Sequence, residues 1–369
     1  MINPPNLPVR PELVGERPYG APQIDAAVLL NVNENPYPPP PQVSEAMAAA
    51  VAVGASGLNR YPDREASALR TDLAAYLGHG LGADRVWAAN GSNEVMVQIL
   101  QAFGGPGRRV MSFDPTYSMY PQYARDTSTE YLAVERSADF TLDADAATAA
   151  VLSERPSVVL VASPNNPTGT ALPLDTVERL CEATREVGAV FVVDEAYAEF
   201  RRDGTPSALS LLDDFGHLAV TRTMSKAFAF AGGRLGYVAS SGDVIDVLRV
   251  VRLPYHLSSL TQTVARVALA HADTLLAQVE ALRQERDATA AWLRAEGFDV
   301  ADSDANFVLF GRFERRHEIW QRLLDRDVLV REVGPEGWLR VSIGTPDEMM
   351  VFRQALNEAV RSIDEEADR

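Results

Sequence analysis

Six short apolar runs, at 86–89, 109–113, 157–162, 189–193, 218–221 and 235–240, recur between helix-length segments in the first two thirds of the chain. Runs this short, rich in β-branched residues and lacking a polar face, read as strands covered on both sides, which is the setting of a parallel sheet between helices. The alternation therefore restricts the chain to the α/β class, with one large domain built on a mostly parallel sheet. Beyond Leu257 the pattern changes. A long amphipathic stretch to about Glu296 reads as one or two helices, followed by NFVLFG (306–311), a helix near 318–325, VLVREV (328–333), WLRVSIG (338–344) and a last helix from about Pro346. This reads as a smaller α+β C-terminal domain. The Pro-rich start reads as an extended arm, so the expected divisions are 1–30, 31–250 and 251–369.

In open α/β sheets, ligands collect at the carboxyl ends of strands. Each polar cluster in the first 250 residues obeys that rule. GSNE (91–94) follows VWAAN, DPTYSMY (114–120) follows RVMSF, SPNNPTG (163–169) follows SVVLVA, and DEAY (194–197) follows AVFVV. Lys226 follows the run around Ala219. The clusters are thus expected to meet in one cleft.

Of 34 basic residues, 33 are arginine and one, Lys226, is lysine. Codon bias toward arginine accounts for the ratio but not for the exception. A guanidinium keeps its proton in proteins, whereas an amine can shed it and act as nucleophile or base. Around the lysine, TRTMSKAFAFAGGRLGYV supplies small hydroxyls at Thr223 and Ser225 and a guanidinium at Arg234, all suited to a phosphate. A nucleophilic amine beside an anion cradle points to a phosphorylated carbonyl cofactor, pyridoxal 5′-phosphate. A nucleotide loop is the rival reading, but no GxxxxGK[ST] is present and the glycines follow the lysine.

The other candidates have ordinary alternatives. Asp194 closes a run of apolar residues, so its carboxylate calls for a cation such as a pyridinium nitrogen, unless it merely caps a helix. Tyr197 and Asn166 could donate to a phenolic ring oxygen, or be a core tyrosine and a turn asparagine. Tyr117 could stack on the cofactor face or simply pack. Ser92 and Asn93 open a helix whose free N–H groups favour phosphate, although an ordinary helix start uses the same residues. Arg331 and Arg340 alternate with apolar neighbours and could point into the cleft or form surface ion pairs.

The net charge of −17 has the wrong sign for a nucleic-acid binder. No apolar run reaches the ~18 residues of a membrane span, and the start lacks a basic and apolar leader pattern, so the expectation is a cytoplasmic protein with no membrane partner. Cys181 is the only cysteine, and His79, His217, His256, His271 and His317 lack ligand spacing, so no metal site is expected.

Together NVNENPYPPP (31–40), NRYPD (59–63), GSNE, DPTYSMY, SPNNPTG, VVDEAYAEF, TRTMSKAFAFAGGRLGY and WLRVSIGT resemble the histidinol-phosphate aminotransferases, pyridoxal-phosphate enzymes of fold type I. The resemblance runs over nearly the whole chain. It implies transamination of L-histidinol phosphate with 2-oxoglutarate, giving imidazole-acetol phosphate and glutamate in histidine biosynthesis. Lys226 would be the covalent anchor of the cofactor, Asp194 the partner of its pyridine nitrogen, Tyr197 and Asn166 the partners of its ring hydroxyl, and Tyr117 the stacking ring. Ser92, Asn93, Ser225 and Arg234 would hold its phosphate, joined by Tyr61 from the second subunit of a homodimer with shared sites. Arg331 and Arg340 would receive the substrate phosphate, and Tyr19 would contact the imidazole. One departure is Asn93, where many relatives carry an acidic residue. An aromatic amino acid aminotransferase, a threonine-phosphate decarboxylase and a non-catalytic ligand-binding domain of a regulator remain the alternatives.

Overall fold

The computed structural model describes residues 7–367, so the first six residues of the expected arm and the last two of the chain lie outside it. The first part of the chain runs β1 (Val28–Leu29), α1 (Pro41–Ala55), α2 (Ser67–Leu77), β2 (Val86–Asn90), α3 (Gly91–Phe103), β3 (Arg109–Asp114), α4 (Tyr120–Asp126) and β4 (Glu130–Glu135). It continues through α5 (Ala144–Glu154), β5 (Val158–Ala162), α6 (Leu174–Val187), β6 (Val190–Asp194), β7 (Leu218–Thr223), β8 (Leu235–Ala239) and α7 (Gly242–Val251). The remainder is α8 (Ser259–Ala270), α9 (Ala272–Ala295), β9 (Asp299–Val300), β10 (Phe307–Gly311), α10 (Arg316–Leu324), β11 (Val328–Leu329), β12 (Arg331–Glu332), β13 (Trp338–Ser342) and α11 (Pro346–Ala367).

Seven strands form the main sheet in the order β2-β8-β7-β6-β5-β3-β4. All six predicted runs are in it, and β5, β6, β7 and β8 are buried at every position, as strands covered on both faces must be. The strand absent from the sequence reading is β4, EYLAVE. It lies at the sheet edge with its ends exposed, so it carries no continuous apolar run. Only β8 runs antiparallel, to both β2 and β7. That reversal positions the site: the start of β8, not its end, lies beside the carboxyl ends of its neighbours. Arg234, which precedes its strand, therefore arrives at the same edge as Asp194 and Lys226, which follow theirs.

The C-terminal strands form an antiparallel sheet in the order β12-β13-β10-β9. The stretch VLVREV does not make one strand. It divides at Val330: β11 pairs in parallel with β1, Val28 against Val328, while β12 pairs with β13 and sets Arg331 against Arg340. The predicted amphipathic stretch is two helices, α8 and α9, which meet at His271. Residues 7–27 are irregular apart from a short turn at Pro11–Leu13, and they lie against α4 and its neighbouring loops through Arg125–Glu16 (2.8 Å) and Tyr19–Ser118 (2.7 Å).

Candidate active site

Five parallel strand ends, the start of β8, the segment 31–34 and the paired arginines of β12 and β13 enclose a cavity of about 440 Å³. Thirteen of the fourteen predicted site residues line it. Tyr61 does not. It is 80% exposed on the surface, stacked on Tyr255 with ring centroids 4.4 Å apart.

Asp194 ends β6 and is almost wholly buried at the cavity wall. Burial pushes its carboxyl up to about 6, against hydrogen bonds from Tyr120, Thr221 and the Ala196 amide. Tyr120 Oη donates to Oδ2 (3.0 Å) and Thr221 Oγ1 to Oδ1 (3.1 Å), which fixes the plane of the carboxylate. The next residue, Glu195, faces away from the cavity and is spent on Arg222 (2.7 Å) and Arg201 (3.3 Å), an internal ion cluster under β6 and β7. Adjacent carboxylates thus take opposite fates because successive strand residues point to opposite sides.

Lys226 sits in the loop after β7, with its Nζ donating to the Val32 carbonyl at 3.0 Å. Burial pushes its amine down to about 8; Arg340 and then Arg234 add repulsion, while Glu34 opposes them. The amine is therefore deprotonated far more readily than an ordinary lysine. Tyr197 Oη accepts from Asn33 Nδ2 at 3.0 Å and from Asn166 Nδ2 at 3.4 Å, and burial raises its phenol above the usual range. Tyr117 stands edge-on to Tyr120, ring centroids 5.7 Å apart, with part of its ring open to the cavity.

The candidate anion cradle lies at the start of α3. Gly91 there has φ +78 and lies so close to Arg234 that a Cβ would come within 2.6 Å of Nη2, which puts the guanidinium over the helix N-terminus. Gly236 makes the approach of β8 possible: a Cβ there would stand 2.0 Å from the Ser92 amide nitrogen. The free N–H groups of the first turn, Ser92, Asn93 and Arg234 thus share one end of the cavity with Thr223 and Ser225. Thr223 Oγ1 donates to Ser225 Oγ (3.0 Å) and accepts from its amide (3.1 Å), holding that loop closed.

At the other end, Arg340 is buried over the Phe307 ring at 5.1 Å and gives Nη1 to Asn166 Oδ1 (2.6 Å) and Nη2 to the Asn31 carbonyl (2.9 Å). Its Nε has no partner among the described residues, an unmet buried donor in a side chain that lines the cavity. Burial lowers its guanidinium to about 10. Among the described residues Arg331 is held only by a long contact to the Gly20 carbonyl (3.4 Å), which leaves most of its donors open to the cavity that it lines. Tyr19 reaches the rim from the arm.

Residues that sequence reasoning left without a role are Asn31, Asn33, Tyr120 and Thr221. The signal for the first two was available: asparagines at alternate positions in NVNEN, inside an apolar and Pro-bounded stretch, need partners if buried, and both are buried. Among the described residues no group of acidic, histidine and cysteine side chains could hold a metal ion, and Cys181 is buried in the core with its thiol pushed up to about 12.

A sequence profile of the family "Aminotransferase class I and II" matches residues 26–356. The chain is 63% identical over 351 residues to a histidinol-phosphate aminotransferase of Thermobifida fusca, covering 95% of each chain. It is 54% identical to the histidinol-phosphate aminotransferase of Bifidobacterium longum, covering 98% of each. A solved histidinol-phosphate aminotransferase from Sinorhizobium meliloti, in complex with pyridoxal-5′-phosphate, superposes with a TM-score of 0.87 over 96% of this chain and 98% of that one; at 24% identity this likeness speaks for the fold. A profile match over most of the sequence and relatives above half identity over nearly its full length make this chain a member of the class I and II aminotransferases, in the histidinol-phosphate aminotransferase family.

Proposed function

We propose that this protein transfers the amino group of L-histidinol phosphate to 2-oxoglutarate, giving imidazole-acetol phosphate and glutamate, as a step of histidine biosynthesis. The observation that carries the reading is the convergence of the only lysine, with its amine near 8, on a cavity that has anion donors at both ends.

The donor set fits pyridoxal phosphate. A buried carboxylate that lacks a cation faces the cavity, and at one end lie a helix N-terminus, two hydroxyls and a guanidinium. Bound there, the cofactor supplies a carbonyl for an amine to capture and an electron sink for the substrate α-carbon. Ser92, Asn93, Thr223, Ser225 and Arg234 would hold its phosphate, Asp194 its pyridine nitrogen, and Tyr197 with Asn166 its ring hydroxyl. Tyr117 would cover one face.

Lys226 then has two tasks. As the neutral amine it anchors the cofactor, and once displaced by the substrate amine it serves as the base that moves a proton from the α-carbon. An amine near 8 suits the second task, since a catalytic base works best close to ambient pH. Asp194, held in plane by Tyr120 and Thr221, keeps a proton on the nitrogen it faces. Arg340 Nε and the open donors of Arg331 would take the substrate phosphate, and the same fork would accept the 2-oxoglutarate carboxylate. Tyr19 would close over the imidazole side. With a net charge of −17, attraction of these dianions must come from the local arginines.

A cytoplasmic homodimer with shared sites completes the proposal. Among the described residues no helix is long and apolar enough to cross a membrane. Tyr61 is stacked on the half-exposed Tyr255, and Leu58, Val250 and Leu253, close to one or the other in sequence, are exposed as well, a set of apolar side chains suited to a second copy that would bring Tyr61 to the neighbouring phosphate site.

A donor panel with 2-oxoglutarate as acceptor tests the reading. Histidinol phosphate is expected to be the preferred donor. Preference for phenylalanine would reassign the enzyme to aromatic amino acids, and release of carbon dioxide without a keto acceptor would make it a decarboxylase.

A further inference from the structure

The Tyr197 hydroxyl carries one proton and accepts up to two hydrogen bonds. Both of its protein neighbours are amides, and each amide is oriented by a partner that leaves no choice. Arg340 Nη1 donates to Asn166 Oδ1 at 2.6 Å; a guanidinium accepts nothing, so the Asn166 NH2 must face Tyr197. The Asn33 backbone N–H donates to Ser342 Oγ at 2.8 Å, so the Ser342 hydroxyl is free to donate to Asn33 Oδ1 at 3.0 Å. That leaves the Asn33 NH2 for Tyr197, at 3.0 Å the shorter of the two contacts. With two donors aimed at its oxygen, the Tyr197 proton has only the cavity to point into.

We propose that Asn33 is a positioning residue that fixes the Tyr197 hydroxyl as a hydrogen-bond donor into the cavity, toward the ring oxygen of the cofactor. This rests on the reading that pyridoxal phosphate occupies the site. Asn33 is built for the task. Its backbone lies in the left-handed region at φ +57, which asparagine and aspartate tolerate better than most residues, and its own carbonyl accepts from Asn306 Nδ2 at 3.1 Å. It thereby ties Tyr197, just beyond β6 of the main sheet, to Ser342 on β13 of the small one. The charged or titratable groups around Tyr197 are Arg340 on β13, Asp194 on β6, Tyr117 in the loop after β3 and Tyr19 in the arm.

A donor on the ring oxygen stabilises its anion and weakens that anion's hold on the proton of the nitrogen that joins Lys226 to the cofactor. Loss of the donor therefore raises the pH at which this proton leaves, read as the midpoint of the visible absorbance band of the holoenzyme. Asn33→Asp keeps the shape, the backbone conformation and the Ser342 bond but turns an acceptor toward Tyr197, drawing its proton inward. Asn33→Gly keeps φ and removes only the amide. The midpoint is expected to rise by about one pH unit in Asn33→Asp and about half a unit in Asn33→Gly, with cofactor affinity about tenfold weaker in Asn33→Asp. Ser342→Ala, which frees the Asn33 amide to turn over, is expected to shift the midpoint the same way by less.

Should Asn33→Asp fail to fold, Asn33→Gly and Ser342→Ala decide the matter. Midpoints equal to wild type in variants that bind pyridoxal phosphate normally would overturn the inference and leave the transaminase reading standing. A wild-type protein that develops no visible band with pyridoxal phosphate would overturn both.

Discussion

Lys226→Met in the cofactor-free protein isolates what it takes to keep an amine in this cavity. In the unfolded chain the amine has the ordinary value of 10.5, whereas in the folded protein burial, Arg340 and Arg234 bring it to about 8. A depression of that size means the charged amine costs the fold about 3 kcal/mol at any pH below 8. The cost fades between about 8 and 10.5, because there the folded amine is already neutral while the unfolded one is still charged. Methionine removes the charge and fills similar volume, but it orphans the Val32 carbonyl that accepts from Nζ, a loss of about 1 kcal/mol. Urea unfolding should therefore find the variant more stable than wild type by about 2 kcal/mol at pH 7 and nearly equal to it at pH 10. Equal gains at the two pH values, or a loss at pH 7, would refute the argument that an unwelcome charge is stored at the reactive amine.

Three further outcomes follow from named contacts. Asp194→Asn should lower kcat by about a thousandfold or more, since it removes the buried carboxylate proposed to hold the pyridine nitrogen; in urea, the stability of the cofactor-free wild type relative to the variant should fall as pH rises from about 4 to about 6, because the variant lacks the raised carboxyl near 6. Gly236→Ala puts a methyl 2.0 Å from the Ser92 nitrogen, so it should displace the start of α3 and weaken pyridoxal-phosphate binding by about tenfold or more in an absorbance titration. If Tyr61 serves the neighbouring subunit, mixing inactive Lys226→Ala with inactive Tyr61→Ala under subunit exchange should restore about a quarter of wild-type activity, because half of the dimers are hybrids and each hybrid has one intact site; no recovery would exclude the shared site.

The amino-acid order alone determined the α/β class, the strands buried on both faces and the polar clusters that meet in the cleft. Apolar runs with polar clusters at their ends leave few other ways to satisfy a backbone in a core, and a lone lysine among 33 arginines singles out the one basic side chain able to shed its proton. What sequence periodicity did not carry were features that depend on a partner distant in the chain. β4 is a strand because β3 offers it an edge, and VLVREV divides because β1 and β13 compete for its two halves. Only the tertiary structure decided that Asn33 reaches Tyr197, that Tyr120 and Thr221 hold Asp194, and that Asn166 is turned by Arg340. Hydrogen-bond direction is a property of geometry between side chains up to 309 positions apart, and no local pattern encodes which end of an amide faces which neighbour.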